Sequence, residues 1–407
     1  MHRLVLVFAL VAAVWTGEAG GPKVPAEDDV EVDQKTEDTE RVEYALIYQW
    51  RRLHPPTPAI DAAAVRWLGQ ARNLLNWKRA GAKGSEPDTS LEPFAFWRGP
   101  FDDRRRAAWM ALDAVDEYPA SSLAPELIHL ALEAYCDLRE AYEVRRLLVR
   151  LWYAYPEHPR MGEAMRQALE VANQVQAFES KVDLDASEPS KVIRIDGSGY
   201  ATDLNRLYRF LARYGDRENV APQAALGTAR SYLILAAGSS LGSARTEVFD
   251  ARRTYDQLLY DHPTHPLVFA VLCEQVLSHL LVYKGDEYDV GALISAAMII
   301  DQAEQEARGD QTKVAHVQRL RARIRGWHQD RDLQVARWYA SKRGLEGLFG
   351  TPDGLKDWLD GARYYYREVI RRDPVSAQGR VAERELAALP VRKLAPLAPL
   401  PVDGVGK

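Results

Sequence analysis

The chain has 407 residues, of which 47% are hydrophobic and 27% are charged, and its formal net charge at pH 7 is −5. These proportions are typical of a soluble, folded protein. The slight negative charge excludes a general attraction to nucleic acid or anionic lipid, so we expect no nucleic-acid partner and at most peripheral association with a membrane.

The first residues have the pattern of a secretory signal peptide. Arg3 precedes an apolar run over residues 4–14, and Gly17 and Ala19 supply the small residues of a cleavage site. The apolar run is shorter than the roughly 20 residues that span a bilayer. We therefore interpret residues 1–19 as a signal peptide and expect an exported protein.

Two segments precede the repeats. Residues 20–42 are rich in aspartate and glutamate and poor in apolar residues, so we predict a disordered acidic linker that cannot bury enough surface to fold. Residues 43–106 carry four tryptophans and a helical periodicity over 59–77, interrupted by proline and glycine. We predict a helical N-terminal cap here.

The rest of the chain divides into two blocks of predicted helices. Residues 107–177 form the first helical repeat block, and residues 178–200 break the pattern as a connector with a short strand ending near Ile195. Residues 201–390 form the second block. Residues 391–407 form a proline-rich tail that we expect to be disordered.

Four junctions between a helical pattern and a proline indicate a repeat. They are Tyr118-Pro119, Tyr155-Pro156, His262-Pro263 and Asp373-Pro374, with spacings of 37, 107 and 111 residues, and 111 is three times 37. This period is typical of helix pairs that stack, because one pair cannot bury its own apolar faces. The predicted fold class is therefore all-α, a tetratricopeptide-like helix-turn-helix solenoid.

Two copies in the second block carry matching residues. The first copy has Ala229, Tyr232, Ala251, Tyr255 and Pro263, and the second has Ala336, Tyr339, Ala362, Tyr366 and Pro374. A small residue and a tyrosine on one helix, followed by a small residue, an aromatic residue and a terminal proline on the next, match the tetratricopeptide signature.

Together with Arg343-Gly344 after Trp338-Tyr339, and a helix that ends in Arg371-Arg372-Asp373-Pro374, this arrangement resembles the BamD family of outer-membrane assembly lipoproteins over roughly residues 200–390. The resemblance implies an all-helical repeat protein of envelope biogenesis, periplasmic or associated with the outer membrane. It also implies protein or peptide partners among outer-membrane assembly components. Since no cysteine lies near the predicted cleavage site, we expect no lipid anchor of the family's kind.

Residues suited to chemistry are few. Cys136 and Cys273 lie in apolar helical runs about four repeats apart, and stacked repeats contact only their neighbours, so we expect two free thiols. His262 and His265 lie in a turn without the converging ligands that zinc requires. Neither an HExxH pair nor a CxxC motif occurs. We therefore predict no metal, no cofactor and no enzymatic activity.

Basic residues crowd the region before the last repeat. The candidate partner-binding residues are Arg319, Arg321, Arg323, Arg325, Arg337 and Lys342. Residues four apart, such as Arg319 and Arg323, share a helix face. An acidic peptide, a terminal carboxylate or a lipid headgroup would dock on such a surface. The alternative is a solvated face whose arginines pair with Glu304, Glu306 and Asp330.

The sequence thus favours an exported, non-enzymatic helical-repeat scaffold that mediates protein–protein interaction. The resemblance places this scaffold in envelope or outer-membrane protein assembly. The first alternative is a structural or cell-wall-associated protein whose repeats mediate self-association. A helical enzyme is the less favoured third interpretation.

Overall fold

The computed structural model describes residues 28–80, 102–182, 193–195, 201–238, 244–281, 290–342 and 358–390. The predicted signal peptide and the proline-rich tail lie outside these ranges. So do residues 81–101, 183–192, 196–200, 239–243, 282–289 and 343–357.

The described chain is helical apart from one short pair of strands, which confirms the predicted all-α class. The first helices are α1 Asp28–Leu53, α2 Pro58–Arg79, α3 Asp103–Glu117, α4 Ala124–Leu138, α5 Ala141–Ala154 and α6 Met161–Glu179. Strands β1 Ser180–Val182 and β2 Ile193–Ile195 then pair antiparallel. The later helices are α7 Ala201–Tyr214, α8 Val220–Gly238, α9 Ala244–Asp261, α10 Val268–Leu281, α11 Val290–Glu306, α12 Gln311–Ser341, α13 Trp358–Arg372 and α14 Ala377–Ala388.

The helices form a solenoid. From α2 onward, successive helices pack against one another, and several also contact the helix two positions along, as α8 contacts α10 and α12 contacts α14. Helix α1 is different because it packs against α5. Arg51 of α1 donates a hydrogen bond of 2.7 Å to the carbonyl oxygen of Ala154. This stacking of local pairs is the architecture that the repeat period predicts.

Side-chain caps set several helix starts. Thr57 accepts a hydrogen bond from the Ile60 amide, and Pro58 occupies the first turn, where its missing amide hydrogen has no cost. Asp310 accepts from two amides at the start of α12, and Ser376 accepts from the Gly379 amide at the start of α14. Such caps satisfy the amides that have no partner within the helix.

The four proline junctions are copies of one turn. Helices α3, α5, α9 and α13 each end two residues before the proline. In each turn the residue before the proline donates its amide to the helix, and its own carbonyl accepts from the second residue after the proline. The amides that donate to these carbonyls belong to Ser121, His158, His265 and Ser376. The structure thus repeats at the positions where the sequence repeats.

The predicted repeat positions of the second block lie in two core regions. Ala229, Ala251 and Tyr255 are buried between α8, α9 and α10, whereas Ala336, Ala362 and Tyr366 are buried between α12, α13 and α14. Tyr232 and Tyr339 are half-buried beside them, and Pro263 and Pro374 lie in the turns.

A triad of polar side chains also repeats, with one copy beside each of these two cores. Arg230 donates to Glu274 at 2.8 and 2.9 Å, and the Tyr255 hydroxyl donates to the same carboxylate at 3.2 Å. Arg337 donates to Glu385 at 2.9 Å and Tyr366 donates to it at 3.0 Å. In both copies the glutamate follows the tyrosine by 19 residues. Each triad ties three successive helices together.

One sequence prediction of organisation is wrong. Residues 28–42 of the predicted disordered linker are helical, since α1 begins at Asp28. Acidic residues are favourable near a helix N-terminus, and Glu40 pairs with Arg145 of α5 at 3.0 Å. One apolar cluster runs from α2 through α7 into the start of α8, so helices on both sides of the predicted connector share a core. The predicted strand is present as β2.

None of the described helices combines the length and the apolar character that crossing a bilayer requires.

Candidate functional site

A groove between α10 and α12 is the best candidate for a binding site. Its volume is about 380 Å³, within the range of roughly 300–1,000 Å³ that is usual for ligand pockets. Helix α10 lines it with Phe269, Ala270, Cys273, Glu274 and Leu277, and helix α12 lines it with Thr312, Lys313, His316, Arg319 and Leu320.

The groove follows from the helical period. The lining residues of α10, like those of α12, recur at intervals of one, three and four residues, so each set occupies one helix face. Helix α11 packs against both helices, with Ala292, Ala296 and Ala303 in their shared core. Helices α10 and α12 therefore flank α11, and the groove lies between their facing sides.

The floor of the groove is apolar. Cys273, Leu277 and Leu320 are buried there, and Phe269 forms a half-buried wall. Burial raises the pKa of the Cys273 thiol to about 12, and the nearby Glu274 charge adds to this effect. The thiol is therefore protonated at neutral pH and behaves as a small apolar side chain.

The rim on the α12 side is cationic. The Lys313 ammonium lies 5.2 Å from the centre of the Phe269 ring, and Arg319 is exposed one turn beyond His316. Burial, followed by the Arg319 charge, lowers the pKa of His316, so this imidazole is neutral at pH 7. Within the described residues, neither Lys313 nor Arg319 has a carboxylate partner.

The one carboxylate that lines the groove is already neutralised. Glu274 accepts hydrogen bonds from Arg230 and Tyr255 within the first triad. Its charge is therefore directed into the protein. The groove as a whole presents an apolar floor with positive charge at one edge, which suits a ligand that combines an apolar side chain with a carboxylate.

The predicted basic cluster does not form one surface. All its described members lie on the single helix α12, or directly after it, as Lys342 does. Because successive residues turn by about 100°, Arg319 and Arg321 point about 160° apart, and Arg319 and Arg337 are separated by about 27 Å along the axis. Basic residues that are close together in the sequence are therefore spread over different faces of α12.

Most members of the cluster contact other groups within the protein, and of the acidic residues named in the solvated-face alternative Glu304 pairs with one of them. Arg321 pairs with Asp301 at 2.5 Å and with Glu304 at 3.0 Å on α11. Arg337 belongs to the second triad, while Arg323 and Lys342 lie over the Trp327 and Trp338 rings. Arg325 is exposed on the side of the helix away from the groove. Arg319 is the member of the cluster that lines the groove.

The histidines considered in the sequence for metal binding do not converge. The His265 ring contacts the Glu218 carbonyl at 3.2 Å through Nε2 and accepts from the Leu267 amide at 3.2 Å through Nδ1. Both ring nitrogens are therefore occupied. The sequence reasoning missed a different pair, His129 and His158, which are buried and adjacent. They are 29 residues apart without a motif, so no local signal could have identified them.

A GxSxG spacing occurs at residues 238–242. In α/β-hydrolases this spacing marks a nucleophile at a turn between a strand and a helix. Here it follows helix α8, which ends at Gly238, and residues 239–243 lie outside the described part of the chain. The context therefore differs from that of a hydrolase elbow.

A scan against protein-family models returned no match to this chain, and a search of curated proteins returned none either. The function is therefore argued from the geometry of the structure.

Proposed function

We propose that the protein is a non-enzymatic helical-repeat scaffold that binds a protein partner through the groove between α10 and α12. The partner supplies a segment with an apolar side chain and a nearby carboxylate, such as an acidic peptide or a chain terminus. The observation that carries this proposal is the apolar groove edged by Lys313 and Arg319, whose charges have no carboxylate partner among the described residues.

Apolar contact with the floor of the groove and charge pairing at its rim have different roles in this proposal. Burying an apolar side chain on Leu277 and Leu320 supplies affinity, at about 25 cal/mol per Å² of apolar surface removed from water. The cations at the rim fix the orientation of the segment and accelerate its approach over a range of about 8 Å at physiological salt. Binding should therefore weaken as salt concentration rises.

A selection from a displayed peptide library tests the proposal. Peptides enriched on the full chain should combine an apolar residue with an acidic residue or a free C-terminus. Arg319→Glu should abolish their enrichment, whereas Arg325→Glu, the same change on another face of the same helix, should preserve it. Enrichment that is indifferent to both changes would place binding outside the groove.

We further propose that this scaffold acts outside the cytoplasm, in envelope or outer-membrane protein assembly. The support is the signal-peptide pattern of residues 1–19 and the resemblance of residues 200–390 to the BamD family. Sequencing the N-terminus of the native protein tests export. A mature chain that begins near Gly20 supports it, and a soluble cytoplasmic protein that retains Met1 contradicts it.

Self-association is the second candidate function, because α1 carries an exposed apolar stripe. Val42, Leu46, Trp50 and Leu53 are spaced by four, four and three residues and are 59%, 58%, 41% and 77% exposed. Such a contiguous apolar face is typical of an interaction site. If the stripe joins two copies, sedimentation equilibrium should show a dimer that Leu46→Glu dissociates. A monomer at all concentrations would remove this candidate.

A further inference from the structure

The buried histidine pair forms the centre of a line of four polar groups. His129 of α4 is fully buried, and its Nδ1 lies 3.0 Å from Nε2 of His158, which follows α5. The outer nitrogen of His129 faces Glu133 at 3.6 Å, and the outer nitrogen of His158 faces Glu126 at 3.9 Å. Among the described residues, neither outer nitrogen has a hydrogen-bond partner. The order along the line is carboxylate, imidazole, imidazole, carboxylate.

Two neutral imidazoles cannot satisfy this line. It contains three gaps, and each gap needs one proton or one cation between two atoms that carry lone pairs. A neutral imidazole carries one proton, so the pair supplies two and leaves one gap with a nitrogen lone pair facing a carboxylate. An unpaired buried polar atom of this kind is costly, so it calls for a missing group.

His158 has been diverted from the role that its turn position has elsewhere. At the equivalent positions, the Ser121 hydroxyl accepts from the Leu123 amide, the His265 ring accepts from the Leu267 amide, and the Ser376 hydroxyl accepts from the Gly379 amide. The His158 ring instead contacts His129 inside the core. The repeat alone therefore does not account for the histidine pair.

The surroundings of His129 are rich in carboxylates. Arg160 pairs with Glu126, Glu133 and Glu163 at 3.3, 2.9 and 2.8 Å. At the outer edge of this group, Arg72 pairs with Glu126, and Arg79 pairs with both Glu133 and Asp137. Three guanidinium groups thus pair with four carboxylates, and the charge of Arg166 also acts on Glu163.

We propose that His129, Glu133 and Glu163 bind a divalent cation, for which Zn²⁺ is the best match. One ligand atom from each residue lies within 4.8 Å of the other two, so small side-chain movements bring them to the Zn–N and Zn–O distances of about 2.0–2.2 Å. A neutral imidazole nitrogen and carboxylate oxygens are suitable ligands for Zn²⁺, and water completes the coordination.

Cation binding resolves the proton count. With the ion on Nε2 of His129, its Nδ1–H donates to His158, and the His158 Nδ1–H then points at Glu126. All three gaps are filled while both imidazoles stay neutral. A metal-bound histidine commonly donates its other ring N–H in this way.

The site also has a route from solvent. A polar cavity of about 310 Å³ is lined by Glu133 together with Arg79, Asp137 and Gln167. Glu133 is thus common to this cavity and to the proposed site. The bound ion would join α4 to α6, because Glu133 belongs to α4 and Glu163 to α6. Its role would be to stabilise this part of the solenoid, independently of the proposed groove.

Competition titration of the full, untagged chain with a zinc indicator tests the proposal, using Zn²⁺ alone as the probe. We expect one ion per chain and a higher thermal midpoint when it is bound. Glu133→Gln and Glu163→Gln, which keep the side-chain size, should each lower the affinity at least tenfold. Glu163 is partly exposed, so its variant keeps the test valid if the Glu133 variant does not fold.

Two controls locate the ion. Glu170→Gln changes a carboxylate that lines the same cavity, and His262→Ala with His265→Ala removes the imidazoles of the turn. Both should bind Zn²⁺ as the unchanged chain does. Arg160→Gln should tighten binding, because the guanidinium competes for the same carboxylate oxygens. An absence of stoichiometric binding would overturn the proposal, as would an affinity for Zn²⁺ in both glutamate variants equal to that of the unchanged chain.

Discussion

Replacing Gly227 with alanine tests the packing of α7 against α8. A Cβ atom at this position would lie less than 3.0 Å from three carbon atoms of the Tyr208 ring. The ring is fully buried, and its hydroxyl donates to Asn173 at 2.9 Å. Gln176 in turn donates to the Gly227 carbonyl at 3.2 Å. The ring therefore cannot move aside without disturbing these hydrogen bonds.

The expected magnitude is the difference between two effects. Overpacking a close contact costs about 1–3 kcal/mol, whereas replacing glycine with alanine inside a helix contributes about 1 kcal/mol of stability. Gly227→Ala should therefore lower the free energy of unfolding by up to about 2 kcal/mol. Gly69 provides the matched control, because it lies inside α2 and a Cβ there meets nothing within 4 Å. Gly69→Ala should stabilise by up to about 1 kcal/mol.

Urea unfolding followed by circular dichroism measures both variants. The urea midpoint should fall for Gly227→Ala and rise or stay unchanged for Gly69→Ala. If both substitutions raise the midpoint equally, the close approach of α7 and α8 at this glycine is not real, and the reasoning is refuted.

Two further predictions concern the last repeat and the thiols. Ala362→Leu should destabilise the protein by about 1–3 kcal/mol because Ala362 is fully buried. Arg371→Leu, which changes a side chain that is 71% exposed, should not destabilise it. If thermal unfolding shows that both variants are equally stable, the assignment of Ala362 to the buried face of α13 is contradicted. Burial raises the pKa of Cys136 and Cys273 to about 12, so at pH 8 the thiolate fraction of each should be about a thousandfold smaller than that of an ordinary thiol near pKa 8.5, and both should react more slowly with a disulfide reagent. Rapid reaction of the folded chain would show that they are accessible.

The repeat architecture could be predicted because its signals are local. A proline fixes the end of the preceding helix, and small and aromatic residues at steps of four and three residues fix which face is buried. Tyr255 and Tyr366 therefore lie in the core where the pattern places them. The same reasoning failed for residues 28–42, because it read acidic composition as disorder. Contacts with α5, such as Glu40 with Arg145, are not visible in that composition.

The candidate sites could not be predicted for a related reason. The groove joins Phe269 to Arg319 across an intervening helix, and the histidine pair joins α4 to a turn 29 residues later. Residues that are this far apart in the sequence are not linked by any helical periodicity. The basic cluster was visible in the sequence, but its division among the faces of α12 depends on the rotation of each residue about a helix 31 residues long. A count of basic residues in the sequence does not show which face of the helix each one occupies.

Fluorescence anisotropy with one selected peptide tests the central claim most directly. The peptide carries one apolar residue and a C-terminal carboxylate, and its dissociation constant is measured against the unchanged chain, Arg319→Glu and Arg325→Glu in low salt. The account predicts that Arg319→Glu weakens binding about tenfold or more, equivalent to about 1.4 kcal/mol, while Arg325→Glu leaves it within about twofold. Equal weakening by both variants, or by neither, would contradict binding in the groove between α10 and α12.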